Sequence, residues 1–81
     1  MTGKVRLTRA AMRGASAMNI GPQGVHEVLL RLTPVDFYKS MTSYSNHTVW
    51  HDVYRPATQY GAVYLKLVVI DEVLVVSFKE L

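Results

Sequence analysis

The chain has 81 residues, of which 49% are hydrophobic and 19% are charged, a balance typical of one folded domain rather than of a disordered segment. It contains no cysteine, which excludes a disulfide-stapled domain and any site built on thiolates. Nine Lys and Arg residues against six Asp and Glu residues give a net charge of +3, and this excess favours an anionic partner.

Neither a signal region nor a membrane span is predicted. The most apolar stretch, residues 62–76, is interrupted by Lys66, Asp71 and Glu72, so it falls short of the roughly 18 apolar residues that a span needs. The basic N-terminus is not followed by an apolar run. We therefore expect a cytoplasmic protein with no membrane partner.

The first part of the chain is predicted to be helical. Thr8 is placed to cap a helix over residues 9–18, and Pro22 suits the first position of a second helix. The second helix has apolar residues at helical spacing, which indicates a buried face. These are Val25, Val28, Leu29 and Leu32. Thr33, Pro34 and Asp36 resemble another helix start, so a short third helix is predicted through Lys39, followed by a polar turn over residues 40–47.

From residue 48 onward the pattern changes to that of strands. Residues 48–55, 62–70 and 73–80 are rich in β-formers and are separated by a loop and a short turn. Helices followed by an antiparallel meander predict an α+β fold, with N-terminal helices packed on one face of a small antiparallel β-sheet.

Strand alternation divides the last two strands into a buried and an exposed face. If residues 71–72 form a hairpin loop, Leu65 faces Phe78 and Leu67 faces Val76 on the buried face. The apolar sorting of both strands agrees with this register. A loop of four residues would preserve the same pairing.

The same register places Tyr64 opposite Lys79 on the exposed face. Counting across the longer loop puts His51 diagonal to Tyr64 and beside Lys66. A tyrosine, a histidine and two lysines are therefore expected on one open sheet face. The alternative interpretation is an ordinary solvated face, because antiparallel sheets are often polar on one side.

Other chemical motifs are weak. His47 and His51 form an H-x-x-x-H pattern, but on a strand these two residues lie about 13 Å apart, too far to share a metal ion, so no metal and no cofactor is expected. Residues 21–24 match the G-x-x-G of RNA-binding KH loops, although an ordinary helix–helix turn is the commoner explanation.

Several basic residues suggest a surface that binds an RNA backbone. Arg6, Arg9 and Arg13 are spaced as one stripe along the first helix, for which a solvated helix face is the alternative. Together with the open sheet face they favour binding of a phosphate backbone. RNA cleavage without metal needs a base for the ribose 2′-OH, cations for the phosphate and an acid for the leaving oxygen, and an aromatic ring can stack an unpaired base.

Several runs of residues resemble the motility quorum-sensing regulator (MqsR) toxins. They include FYKSMT at 37–42, DVYRP at 52–56, VYLK at 63–66 and VSFKE at 76–80. The resemblance implies a RelE-like bacterial ribonuclease fold and cleavage of mRNA at GC-containing sites such as GCU. It also implies a cognate antitoxin partner. We expect one toxin domain over residues 1–81. The family has an additional segment before the equivalent of Val5, so either the start is misassigned or truncated here, or this member is naturally short.

The resemblance also implies site residues. Lys39, Tyr64 and Lys79 occupy the family's active-site positions, and His51 stands where the family has a glutamine. The expected RNA-binding residues are Arg6, Arg9, Arg13, Arg55 and Lys66. Because an imidazole transfers protons near neutrality and a glutamine does not, His51 is the expected titrating group.

The sequence therefore predicts a metal-independent endoribonuclease toxin that acts on single-stranded mRNA and is neutralised by an antitoxin. A non-catalytic RNA- or antitoxin-binding module derived from such a toxin is the alternative. In a three-stranded meander the strand at 48–55 would be an edge, and there an extended antitoxin segment could add.

Overall fold

The computed structural model of the chain describes residues 5–42, 49–69 and 72–81. Within these ranges two helices and six strands follow one another along the chain. They are β1 (Val5–Leu7), α1 (Arg9–Ala17), α2 (Pro22–Leu30), β2 (Phe37–Thr42), β3 (Trp50–Tyr54), β4 (Ala57–Thr58), β5 (Gly61–Val69) and β6 (Val73–Glu80). The chain is thus an α+β protein, as the sequence predicts.

The first helix begins where the sequence predicts. The hydroxyl of Thr8 accepts a hydrogen bond from the backbone N–H of Ala11 (3.1 Å), which satisfies one of the donors that a helix leaves free at its start. The same hydroxyl donates to the carbonyl of Val76 (2.8 Å), so the cap also ties α1 to β6. After the last turn Asn19 has a φ of 59°, the left-handed conformation that commonly ends helices.

The second helix also agrees with its prediction. Pro22 occupies its first position, where a missing N–H costs nothing. Val25, Val28 and Leu29 are buried, as their spacing predicts. Leu32 lies beyond the end of α2 but still packs, partly buried, against the core.

The predicted third helix is wrong. The N–H of Thr33 does donate to the carboxylate of Asp36 (2.9 Å), but the helical conformation lasts only for one 3₁₀ turn at Pro34–Asp36. Residues 37–42 form β2 instead, so the predicted polar turn is wrong up to Thr42, and residues 43–47 lie outside the described ranges. Five of the six residues of β2 are exposed, so no apolar stripe holds a helix here, whereas pairing with β3 satisfies the backbone.

The strands form one mixed sheet in the order β1-β6-β5-β3-β2, with β4 paired to β5 beside this path. Because β1 runs parallel to β6 while the other pairs are antiparallel, the predicted meander is only the centre of the sheet. β2 covers β3, so the prediction of a free edge at residues 48–55 is wrong. The two ends of this strand order are β1 and β2.

The pairing of β5 with β6 confirms the predicted faces near the end of the chain. Tyr64 lies opposite Lys79, and Leu65 lies opposite Phe78. Leu65 and Phe78 are essentially fully buried, whereas Tyr64 and Lys79 lie on the face away from the helices. The apolar alternation of both strands predicted this part of the register. The predicted two-residue loop at 71–72 is wrong, because Val69 rather than Ile70 lies opposite Val73.

A β-bulge in β6 changes the register further along. Leu67 faces Val75 instead of the predicted Val76, because Val76 is an extra residue without a partner on β5. The start of α1 holds the bulge: the N–H of Thr8 donates to the carbonyl of Val75 (3.0 Å), and its hydroxyl donates to that of Val76.

The pairing of β3 with β5 is shifted by two residues from the prediction. Val53, rather than His51, lies beside Lys66. His51 therefore lies farther along the sheet and is not diagonal to Tyr64. Because the shift is even, His51 keeps its face and changes only its neighbours.

The core lies between the helices and one face of the sheet. Helix α1 contributes only small buried side chains, Ala11 and Ala15, so its backbone approaches β6 closely. Larger residues of α2, β5 and β6 fill the rest. They are Val25, Val28, Leu29, Val63, Leu65, Leu67, Val75 and Phe78.

The closest approach of α1 to β6 is at Gly14. A Cβ atom at this position would lie 1.7 Å from the carbonyl oxygen of Phe78. We expect Gly14→Ala to lower the free energy of unfolding by about 1–3 kcal/mol, although alanine favours helix by up to about 1 kcal/mol over glycine. Urea denaturation measures the change.

Gly21→Ser is the matched control for this prediction. Nothing lies within 4 Å of the Cβ position of Gly21, and serine is a good N-cap residue. Its stability should therefore equal that of the wild type or exceed it. A Gly14→Ala protein as stable as the wild type would contradict the close packing of α1 on β6.

Candidate active site

The sheet face that the helices leave uncovered carries the candidate residues in adjoining rows. Cross-strand partners share a face, and one such row crosses four strands. Lys39 pairs with Val53, and Val53 pairs with Lys66. Lys66 in turn pairs with Ser77. This row places one lysine on each side of Val53.

A second row lies beside the first. Tyr64 pairs with Lys79. The N–H of Val63 donates to the carbonyl of Pro56 (3.0 Å), so the register of β3 with β5 continues past the end of β3. That register brings Arg55 level with Tyr64. The sheet therefore aligns a guanidinium, a phenol and an ammonium.

We call the surface formed by Lys39, His51, Arg55, Tyr64, Lys66 and Lys79 the cationic face. Four of its six residues are Lys or Arg, and no acidic residue belongs to this face in the strand segments that the structure describes. Asp52 lies on the opposite face, where it accepts a hydrogen bond from the hydroxyl of Ser40 (2.7 Å). The positive charges face one another without compensation, so an anion is the natural ligand.

Val53 forms an apolar floor under this surface. It lies on the face away from the helices, yet none of its surface is exposed. Its cross-strand neighbours Lys39 and Lys66 are placed to cover it, because lysine stems pack on apolar surface while the ammonium stays in water. Lys66 is half-buried and Lys39 is exposed. Val53 therefore separates the two lysines in the middle of the sheet.

Lys79 and Tyr64 are in direct contact. Nζ of Lys79 lies 5.1 Å from the centre of the Tyr64 ring, within the range of a cation–π interaction. The contact restrains both side chains and brings a positive charge and a phenolic hydroxyl to the same place. Such a pair can both bind a phosphate and donate a hydrogen bond to it.

Tyr38 is a candidate residue that the sequence analysis missed. The pairing of β2 with β3 is irregular between Phe37 and Lys39, and Tyr38 has no partner there. The residue is 52% exposed. Nζ of Lys39 lies 5.4 Å and Cζ of Arg55 lies 4.7 Å from the centre of its ring. An exposed ring beside two cations suits an unpaired base and its phosphate. The sequence signal, Tyr38 next to Lys39, was hidden because this segment was predicted to be helical.

His51 lies at the other end of the cationic face. It pairs with Met41 on β2 and is half-buried. By ordinary sheet spacings its Cα atom lies about 14 Å from that of Tyr64. His51 and the Tyr64–Lys79 pair are therefore separated by Lys66 rather than clustered, contrary to the prediction.

The predicted arginine stripe is divided between two surfaces. Arg6 belongs to β1 rather than to α1, and its Nε lies 3.4 Å from a carboxylate oxygen of Glu72. Arg9 and Arg13 are exposed on α1, on the helix side of the sheet. A single stripe along the first helix is therefore wrong, because the helix begins only after Thr8.

Residues 5–42, 49–69 and 72–81 contain neither a metal-binding cluster nor a membrane-spanning helix. No group of three or more His, Asp or Glu residues there is arranged to hold a metal ion. No helix in these ranges is long and apolar enough to cross a membrane. His47, from the H-x-x-x-H pattern, lies outside them.

Comparison with known proteins identifies the family of the chain. The family model described as motility quorum-sensing regulator, toxin of MqsA, matches residues 1–80. The chain belongs to this toxin family. A curated relative, the mRNA interferase toxin MqsR of Escherichia coli (strain K12), is 53% identical over 78 residues, which cover 96% of this chain and 80% of the relative. The family resemblance predicted from the sequence is confirmed.

Proposed function

We propose that this protein is an endoribonuclease toxin that cleaves single-stranded mRNA and thereby inhibits translation. The cationic face carries the proposal, because it presents cations, a tyrosine and a histidine on one open surface. The name of the Escherichia coli relative, mRNA interferase toxin, supports it. The same proposal includes a RelE-like fold, which two helices on one face of a sheet would fit. It also includes action in the cytoplasm, where mRNA is translated.

The proposed reaction needs three functions around one phosphate. A base removes the proton of a ribose 2′-OH, and the oxygen attacks the phosphorus. The P–O5′ bond breaks, and an acid protonates the departing 5′ oxygen. Cations stabilise the charge on the phosphate oxygens meanwhile. The products are a 2′,3′-cyclic phosphate and a 5′-hydroxyl, so the reaction consumes no cofactor.

The candidate residues suit an in-line displacement. His51 and Tyr64 lie on opposite sides of the centre of the cationic face, so they can address the attacking and the leaving oxygen. In this proposal His51 is the base, and Tyr64 positions the phosphate or donates the proton. Lys39 and Lys79 stabilise the phosphate charge.

Other residues would hold the RNA on either side of the cleaved bond. Tyr38 is placed to stack a base, with Arg55 beside it for the adjoining phosphate. Arg6, Arg9 and Arg13 stay predictions as RNA contacts; Arg9 and Arg13 lie on the helix side, so they could contact only RNA that passes around the sheet.

The activity itself is tested by incubating the pure protein with a mixed-sequence RNA in excess EDTA. We expect cleavage to continue, with 2′,3′-cyclic phosphate ends, because no step of the proposed reaction uses a metal. Mapping the ends also tests the GC-containing sites, such as GCU, that the family resemblance implies. RNA that stays intact and is only retarded on a gel would instead support the non-catalytic binding module.

Single substitutions should separate activity from folding. We expect Lys79→Ala and Tyr64→Phe to slow cleavage about 10²–10³-fold, the usual effect of losing one transition-state cation or donor. Stability should change by no more than about 0.5 kcal/mol, because both residues lie on the open face. Arg31→Gln, an exposed change at the end of α2, is the control. Parallel loss of folding and activity would contradict the assignment.

The role of His51 is tested by the pH dependence of single-turnover cleavage from pH 5 to 9. If His51 is the base, cleavage rises with pH as the imidazole becomes neutral. His51→Gln should flatten this rise and keep part of the activity, because glutamine still forms a hydrogen bond. Superimposable profiles of the two proteins would leave His51 as an orienting group only.

An antitoxin is the proposed protein partner, and β2 is the proposed place for it. Of the two strands at the ends of the sheet order, β1 has three residues and β2 has six. Phe37 and Tyr38 on β2 are exposed aromatic residues, and Lys39 belongs to the candidate site. A partner segment that adds to β2 as a strand would therefore border the cationic face.

Hydrogen exchange with and without the antitoxin tests this location. We expect slower exchange at residues 37–42 in the complex, because an added strand pairs with the free backbone groups of β2. Residues 50–54 of the interior strand β3 are the internal control and should change little. A complex that forms without added protection at residues 37–42 would exclude strand addition there.

A further inference from the structure

Lys66 is the central residue of the cationic face. It lies on β5, two residues from Tyr64, and beside Val53 on β3. Lys39 follows on the far side of Val53. Lys79 lies diagonally across β6, one row away. Every other lysine of the face is therefore a near neighbour of Lys66.

Lys66 lies among residues of the same charge. Its side chain is half-buried, and the face around it carries three further cations. No acid shares this face in the strand segments described. Like charges repel one another, and water screens a partly buried charge less than an exposed one. A phosphate group above Lys66 would relieve this repulsion.

We propose that Lys66 is a further catalytic residue, whose ammonium contacts the cleaved phosphate. The inference depends on the proposed ribonuclease function. Because His51 and Tyr64 lie on opposite sides of Lys66, a phosphate that both can reach lies above Lys66. Lys39 and Lys79 then approach the same phosphate from two sides. Lys66 transfers no proton and stabilises the charge that accumulates on the phosphate oxygens during attack.

A lysine that only binds RNA would behave differently. Its loss weakens binding and reduces the salt dependence of affinity, but it leaves the rate of the bound substrate unchanged. A cation that acts on the transition state changes the maximum rate more than it changes binding. Rate and affinity therefore need to be measured separately.

The first experiment compares wild type, Lys66→Met and Arg31→Met in single-turnover cleavage of a short RNA with one site. Methionine keeps an unbranched apolar stem, and Arg31→Met removes one charge from an exposed position on the helix side. Affinity is measured with the same RNA carrying a 2′-deoxyribose at the cleaved position. We expect Lys66→Met to lower the maximum rate about 10²–10³-fold with a much smaller change in affinity, and Arg31→Met to change neither.

The second experiment restores the charge within one folded protein. The chain has no cysteine, so Lys66→Cys carries a unique thiol. Alkylation with 2-bromoethylamine forms a thioether that ends in an ammonium, nearly isosteric with lysine. Iodoacetamide forms a neutral adduct at the same atom. We expect 2-bromoethylamine to raise the cleavage rate of the Lys66→Cys protein at least about tenfold, and iodoacetamide to raise it little.

Two results would overturn the assignment. One is a wild-type maximum rate in Lys66→Met with affinity alone reduced, and the other is equal recovery with both reagents. Failure of the proposed function is distinguishable, because the wild-type protein would then bind the RNA without cleaving it in the same assay. Circular dichroism of the Lys66→Cys protein before and after alkylation confirms that rate is compared in the same fold.

Discussion

The antiparallel pairing of β5 with β6 is the interaction on which the other parts of the structure depend. On one face it brings Leu65 and Phe78 into the core, and on the other it brings Tyr64 and Lys79 into contact. A slip of one residue would exchange these faces, exposing the core and burying the charges. The core and the cationic face are therefore specified by the same register.

The cationic face has an energetic cost that the opposite side of the sheet must offset. It carries three lysines and one arginine, and none of its six residues is acidic. The opposite face is fully apolar at the centre of β5, where Val63 and Leu65 have no exposed surface. Val53 adds apolar burial beneath the charges themselves. This division allows a small domain to keep an uncompensated charged surface, as functional sites commonly require.

Local signals in the sequence were reliable where the interactions themselves are local. The Thr8 cap of α1 and Pro22 at the start of α2 each depend on residues close in the chain. The capping signal at Thr33 was also real, since its bonds to Asp36 form. It did not predict a helix correctly because a cap begins a helix, but only an apolar face packed on a core sustains one.

The sequence by itself determined the α+β class, the two helices, the family and the face on which Tyr64, Lys66 and Lys79 lie. Apolar periodicity specifies the elements and their faces, and the residue runs at 37–42, 52–56, 63–66 and 76–80 identify the family. Only the tertiary structure decided that β2 covers β3, that Val53 rather than His51 adjoins Lys66, and that Tyr38 joins the site. These depend on pairings between strands joined by longer segments, and loop length does not fix register. The two-residue shift in the β3–β5 register changes the neighbours of His51 but keeps it on the predicted face of the sheet. The sequence therefore identified the surface, and the tertiary structure determined which of its residues are adjacent.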